Sequence, residues 1–176
     1  LFDSRRGVRV FHSSGTLKKS GYHSNEGRRM IYIFLPAYNE ETALPRLVEK
    51  FAQEMGQAKE AYKIVVLDDG SSDGTAKEAL ELGRKYPIEL MKHEVNQGLG
   101  AAMRHGIEYL AKITNDDDFV VTLDCDDTHE PKFLTAALKK IREGYDIVIL
   151  SRFVEGGGQK GLSNIKTFLS SGAGLF

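Results

Sequence analysis

The chain has 176 residues, 41% of them hydrophobic and 28% charged, with a formal net charge of −1 at pH 7. That length fits one domain, and the balanced charge excludes the broad basic field expected of a nucleic-acid binder. No apolar run is long enough to span a bilayer, and the lone Cys125 excludes an internal disulfide, which fits a reducing compartment.

Residues 1–29 carry Arg5, Arg6, Arg9, Lys18, Lys19, Arg28 and Arg29 against only Asp3 and Glu26. Ser and Gly are frequent there and no apolar periodicity is visible, so the composition predicts disorder. The segment has a loose likeness to a transit peptide. Met30 stands immediately before the first clear strand pattern, and 1–29 is expected to be upstream or non-native sequence outside the fold.

From Met30 onward, strand and helix patterns alternate. Ile31–Leu35 reads as a strand, and Glu41–Met55 as a helix with Leu44, Leu47, Val48 and Phe51 on one face. Tyr62–Leu67 is the next strand. Ser72 and Asp73 offer N-caps for a helix to about Lys85, with Ala76, Ala79, Leu80 and Leu82 inward. Ile88–His93 is a short strand, Gly98–Lys112 a helix, and Phe119–Asp124 a strand whose apolar run predicts burial. Pro131 at a first helical position opens a helix to Arg142, and Tyr145–Leu150 is a final strand. Strands separated by helical crossovers predict an α/β fold, with a mostly parallel sheet and helices on both faces.

The chemistry gathers at the carboxyl ends of those strands, where open α/β sheets bind ligands. Phe119–Leu123 runs into Asp124, Asp126 and Asp127, a charge density that a buried strand cannot hold inside a sheet. Asp124 and Asp126, two residues apart on a chain leaving its strand, can converge on a hard divalent cation. Cys125 between them reads as a small side chain turned into the core. After the first strand, Pro36-Ala37-Tyr38-Asn39-Glu40 places a ring, an amide and a carboxylate together. Tyr38 suits a base, and Glu40 suits base or ribose donors. The alternative is a plain turn, with Asn39 capping the helix and Glu40 and Glu41 favouring its N-terminus. Asp68, in Asp68-Asp69-Gly70-Ser71-Ser72-Asp73-Gly74-Thr75, is placed to hold a ribose or a base N–H; taken alone, the stretch reads rather as a polar turn. The stretch Asn96-Gln97-Gly98-Leu99-Gly100-Ala101-Ala102 has small residues for close helix–strand packing, and it lacks the third Gly of a dinucleotide fingerprint. Arg104 reads as a surface charge.

Taken in order and spacing, these segments together with Ser151-Arg152-Phe153 resemble the family 2 glycosyltransferases. Ser151-Arg152-Phe153-Val154-Glu155-Gly156-Gly157-Gly158 is most similar to the dolichol-phosphate mannosyltransferase and polyprenyl-phosphate glycosyltransferase branch. The resemblance covers 30 to about 176. It implies a GT-A fold, a nucleotide-sugar donor, Mg²⁺ or Mn²⁺, and an acceptor that is a polyprenyl or dolichyl phosphate at a cytoplasmic membrane surface. By position it assigns Pro36, Tyr38, Glu40, Val66 and Asp68 to the nucleoside and Asp124 and Asp126 to the metal. The backbone at Cys125 falls near sugar or diphosphate, and Arg152 faces phosphate. That branch usually has Gln where Thr128 stands here; Thr128 still offers the metal an oxygen, at shorter reach. Relatives continue beyond the segment matching Ile165–Phe176, so the resemblance also implies a catalytic domain cut short. Two alternatives compete: a non-catalytic nucleotide-sugar-binding module, and a haloacid-dehalogenase-like phosphatase using Asp124 as nucleophile and Asp126 as acid/base. The phosphatase motif normally follows a domain's first strand, whereas three strand patterns precede it here.

Overall fold

The computed structural model describes residues 8–11, 29–126 and 132–150. The elements are β1 (Val8–Phe11), β2 (Met30–Ala37), α1 (Ala43–Ala58), β3 (Ala61–Asp68), α2 (Thr75–Leu82), β4 (Ile88–Lys92), α3 (Leu99–Ile113), β5 (Phe119–Thr122), α4 (Lys132–Arg142) and β6 (Ile147–Leu150). The chain forms two compact units, one covering Ser20–Thr135 and the other joining Leu1–Lys19 to Ala136–Phe176.

In the first unit, four strands form a parallel sheet in the order β4-β3-β2-β5. β2 and β3 alternate between two buried faces. Ile31, Ile33, Leu35, Ile64 and Val66 are wholly buried, as are Leu44, Leu47, Val48, Phe51 and Met55 of α1. α1 packs against α2 and β3, and α2 packs against β3 and β4. Phe34, Val65 and Leu67 point the other way and pack with Ala102 and Leu110 of α3. Helices therefore cover both faces, and the sequence steps outward from β2 in both directions. The point where the strand order reverses lies between β2 and β5, where an open α/β sheet leaves a crevice at its carboxyl edge.

Pro36 sits near the end of a central strand without costing a rung. Leu123 N–H donates to Phe34 O at 3.2 Å, the last bond to β5, so the missing Pro36 N–H falls beyond the ladder. At the opposite edge, Asp118 staples the strand starts: its Oδ1 accepts Met30 N–H at 2.8 Å and its Oδ2 accepts Asn115 N–H at 2.9 Å.

Several expectations need correction. β5 is not a buried strand: it pairs only with β2 among the described residues, and Val120 is 48% exposed. It also ends at Thr122, two residues short of Asp124. Leu80 is 62% exposed, because the short α2 turns Thr75 and Ala79 inward instead. The final strand does not extend the parallel sheet. Ile147–Leu150 pairs antiparallel with Val8–Phe11 in the second unit. Those four residues lie inside the segment expected to be disordered. Val8-Arg9-Val10-Phe11 is a short alternating, β-branched run, and averaging over 29 residues hides it.

α3 approaches the sheet through Gly106, where a Cβ would overlap the Phe34 ring. Gly106→Ala is expected to lose roughly 1–3 kcal/mol through overpacking, despite the better helix propensity of Ala. Gly56 on α1 has open space around the same position. Gly56→Ala is expected to be neutral or to gain up to about 1 kcal/mol, and denaturant midpoints of the two variants check both signs.

Candidate functional site

The carboxyl edge is built by two neighbouring turns that hold each other. The β2–α1 turn donates its backbone to side chains of the β3–α2 turn. Asn39 N–H donates to Ser71 Oγ at 2.9 Å, Glu40 N–H to Thr75 Oγ1 at 2.8 Å, and Glu41 N–H to Asp73 Oδ2 at 3.2 Å. The β3–α2 turn reciprocates. Ser72 N–H donates to Asn39 Oδ1 at 2.9 Å, and Gly74 N–H to Glu41 Oε2 at 2.7 Å. Asn39 reaches this position in the left-handed region, at φ 59°. It therefore links two loops and does not cap α1, whose N-cap is Thr42. At α2, Asp73 serves the helix start and Ser72 does not: Asp73 Oδ1 accepts Thr75 N–H at 3.0 Å and Thr75 Oγ1–H at 2.5 Å. Burial works to raise the Asp73 pKa, but these bonds and the Glu41 N–H outweigh it and hold the carboxyl below its usual range.

A second lock ties the β3–α2 turn to the β4–α3 turn. Asp69, only 3% exposed, accepts Gln97 N–H at 3.0 Å on Oδ1 and Gly98 N–H at 2.8 Å on Oδ2. His93 Nδ1 lies 2.6 Å from Asp69 Oδ1. Burial again pushes the carboxyl up, and the Gln97, His93 and Gly98 donors more than offset it, leaving a lowered pKa. Gly70, at φ 70°, lets the two turns meet, since a Cβ there would collide with the backbone of Val95 and Asn96. Sequence reading gave Asp69 and His93 no role. Their one sequence signal is position, each just past a strand end at the site-bearing edge.

Asp68 closes β3, is wholly buried, and accepts Ser71 N–H at 2.9 Å on Oδ1. Its Oδ2 has no hydrogen-bond partner among the described residues. Such an acceptor is costly to leave unmade, and it marks where a donor is missing. Tyr38 is 49% exposed at the end of β2, and Pro36 is buried beneath it in the chain. Glu40 is partly buried. Its pKa is raised, first by burial and then by the negative charges of Asp126 and Asp73. Asp124 and Asp126 are exposed on either side of Cys125, whose side chain is 3% exposed. The alternation puts the carboxylates outward and the sulfur inward, as the spacing predicts. Val66 is wholly buried, so its side chain belongs to the core below Asp68. Thr128 and Arg152 lie outside the described residues. No three His, Cys, Asp or Glu side chains among the described residues form a metal-binding group.

The family model of "Glycosyl transferase family 2" matches residues 32–171. The dolichol-phosphate mannosyltransferase of Pyrococcus furiosus is 33% identical over 143 residues, which cover 81% of this chain and 39% of that protein. The undecaprenyl-phosphate 4-deoxy-4-formamido-L-arabinose transferase of Proteus mirabilis is 32% identical over 121 residues, covering 67% of this chain and 35% of that protein. The chain thus spans less than half the length of either relative. A mannosyltransferase from Pyrobaculum calidifontis, solved with GDP-Man and Mn²⁺, shares the fold at TM-score 0.52 and 22% identity, over 64% of this chain and 32% of that one. Mannosyl-3-phosphoglycerate synthase from Rubrobacter xylanophilus does so at TM-score 0.53 and 21% identity, over 64% of this chain and 36% of that one.

Asp69→Ala strands three donors in a dry place and is expected to cost roughly 2–4 kcal/mol, read from chemical unfolding. Because the folded pKa of Asp69 is lowered, its contribution is fully present above the ordinary carboxylate range. The part that depends on its charge is lost as pH falls below about 4 and through the lowered folded value, so the stability gap between the wild type and the variant should narrow there.

Proposed function

The chain belongs to glycosyl transferase family 2, and from that premise we propose that its carboxyl edge holds a nucleotide-sugar donor with a divalent cation for transfer to a polyprenyl or dolichyl phosphate. The observation that carries the donor site is Asp68 Oδ2, a buried carboxylate oxygen without a donor among the described residues, at the carboxyl end of β3. A base N–H is the group that completes it. Tyr38, exposed just past the end of β2, offers a ring for the base, and Glu40 accepts from base N–H or ribose O–H donors. The names of the Pyrococcus and Proteus relatives support a lipid-phosphate acceptor. The reading also places the reaction at a cytoplasmic membrane surface, although no described helix is long and apolar enough to cross a bilayer.

The residues fit Mg²⁺ or Mn²⁺. Asp124 and Asp126 offer hard oxygens on an exposed turn, with Thr128 as a further oxygen, and such cations take few protein ligands beside water and phosphate. The Glu40 pKa is raised first by burial and then by the charges of Asp126 and Asp73, and a cation at this edge would oppose that shift. When bound, the ion would offset charge growing on the departing diphosphate. The protein's own part is positioning. The clasped turns hold Asp68, Tyr38 and Glu40 without further reorganisation, and a lipid monophosphate is already ionised near neutral pH, so no strong general base is required. Arg152 is assigned by resemblance to that phosphate, which a guanidinium grips through two bonds. The phosphatase alternative lacks support, because the strand before Asp124 is the fourth of its sheet in chain order.

Calorimetry with GDP and UDP, each with and without Mn²⁺, tests the donor site. Asp126→Asn should abolish the metal-dependent part of binding with the fold retained; unchanged affinity removes the metal assignment. Asp68→Ala should weaken nucleoside monophosphate binding by roughly 1.5–3 kcal/mol. Loss confined to the diphosphates would move Asp68 to the metal.

For the acceptor, Arg152→Ala should lower kcat/KM for a short polyprenyl monophosphate by roughly a hundredfold, or about 3 kcal/mol. Donor hydrolysis by water should fall far less, and equal losses would move Arg152 to the donor. Donor binding without any turnover would favour the non-catalytic module.

A further inference from the structure

Three side chains with no assigned role form a continuous line on the α3 side of the sheet. Asp69 Oδ1 is 2.6 Å from His93 Nδ1, and His93 Nε2 is 2.8 Å from His105 Nδ1. The two imidazoles meet edge to face, with centroids 4.9 Å apart and planes at 86°. The Asp69 and His93 side chains are nearly buried, and His105 is half-buried. Asp69 also receives the Gln97 and Gly98 N–H groups, while His93 N–H donates to Asp68 O at 2.9 Å. The line therefore fixes both the turn that opens α3 and the strand end that carries Asp68.

Its proton inventory is restricted. An ionised carboxylate only accepts, so His93 Nδ1 carries a proton. The bond between the rings then needs one proton shared between His93 Nε2 and His105 Nδ1. Two neutral rings satisfy this when His105 donates. One added proton also satisfies it, either on His93, which then donates, or on His105 Nε2. Two added protons do not: N–H faces N–H, two like charges meet, and the bond is lost. The donors that hold the Asp69 pKa low keep it an acceptor throughout the histidine range.

The other charges around the pair are accounted for. Lys92 and Glu94 flank His93 in the chain, and Arg104 and Glu108 flank His105 on α3; all four are exposed. Lys63, Glu89 and Tyr109, on β3, β4 and α3, pair with one another. β2 packs Tyr32 and Phe34 toward α3, and Asp124 and Asp126 leave β5 at the same edge of the sheet.

We propose that Asp69, His93 and His105 form a one-proton clamp. It holds the Gln97–Gly98 turn against the Asp68 strand end with zero or one added proton and releases it with two. His93 and His105 are positioning residues, and the clamp's effect on nucleotide affinity rests on the donor site proposed above.

His105→Asn separates the clamp from ordinary acid effects, because an amide stands where Nδ1 stood, can donate or accept, and never charges. In the ligand-free chain, intrinsic-rate-corrected amide exchange at Gln97 and Gly98 should accelerate roughly tenfold more in wild type than in His105→Asn over the pH interval in which the wild-type pair goes from one added proton to two. Imidazole ¹⁵N shifts of the wild type give a readout that needs no variant: release must accompany the second protonation of the pair. Release at the first, or identical exchange profiles, overturns the clamp. With Mn²⁺ and GDP or UDP, wild type should lose roughly tenfold more affinity than His105→Asn over the same interval. Clamp release with equal affinity losses overturns the coupling to the site. Absence of nucleotide binding at every pH, with the exchange result intact, overturns the donor-site reading and not the clamp.

Discussion

The turns at the carboxyl edge have no ladder of their own, and their reciprocal hydrogen bonding is what the site depends on. β2 and β3 are parallel neighbours in register from Met30↔Ala61 to Ala37↔Asp68, so the turns that follow them leave the sheet side by side. Each is rich in backbone N–H groups that α1 and α2 do not use. Side chains of one turn take up the donors of the other, and Asp69 N–H donating to Ala37 O at 2.8 Å extends the pairing one step past the strands. Asp69 then carries the connection across to the turn before α3. Three loops that chain entropy would leave loose become one frame, and Asp68, Tyr38 and Glu40 stand on it.

The features that sequence reading found are those in which local chemistry decides position. An apolar run ending in carboxylates has to stop at the edge of the sheet, which located Asp124 and Asp126. Alternation with helices between strands required the parallel sheet and its two covered faces. Where neighbours decide, the reading failed. Phe119–Leu123 has the composition of a buried strand, yet β5 has only β2 beside it among the described residues, and alternate side chains meet solvent. Ile147–Leu150 has strand composition too, but composition does not name its partner, which is antiparallel Val8–Phe11. Asn39 next to Glu40 and Glu41 looks like a helix cap, because capping and loop linking use the same amide oxygen.

The Asp69–His93–His105 line was illegible for a related reason. Its members lie 24 and 12 residues apart, on a loop, a strand end and a helix. Period 2 carries His93 to the face shared with Glu89 and Met91, and α3 covers that face. Nothing in either period sets the rotation and height at which α3 settles. Gly106 does much of that, by bringing the helix against the Phe34 ring one residue after His105. The contact between the histidines is therefore a consequence of helix docking, a tertiary fact with only a glycine to announce it.

Several carboxylates crowd this edge, and the environments of some of them can be sorted. Asp69 and Asp73 are burdened by burial, yet backbone and side-chain donors bring both below the usual range. Their charge is already answered, and they serve as structure. Glu40 goes the other way, because burial and the neighbouring charges of Asp126 and Asp73 oppose its ionisation. Asp68 has one oxygen answered by Ser71 and one with no donor among the described residues. A fold selected for stability alone would not keep a buried acceptor half-made or push like charges together at its open edge. Asp68 Oδ2 is the buried oxygen left without a donor among the described residues, and Glu40 is the carboxyl whose ionisation its surroundings oppose. Asp69 and Asp73 brace the turns, while Asp68 Oδ2 keeps an acceptor whose energy an N–H donor would lower.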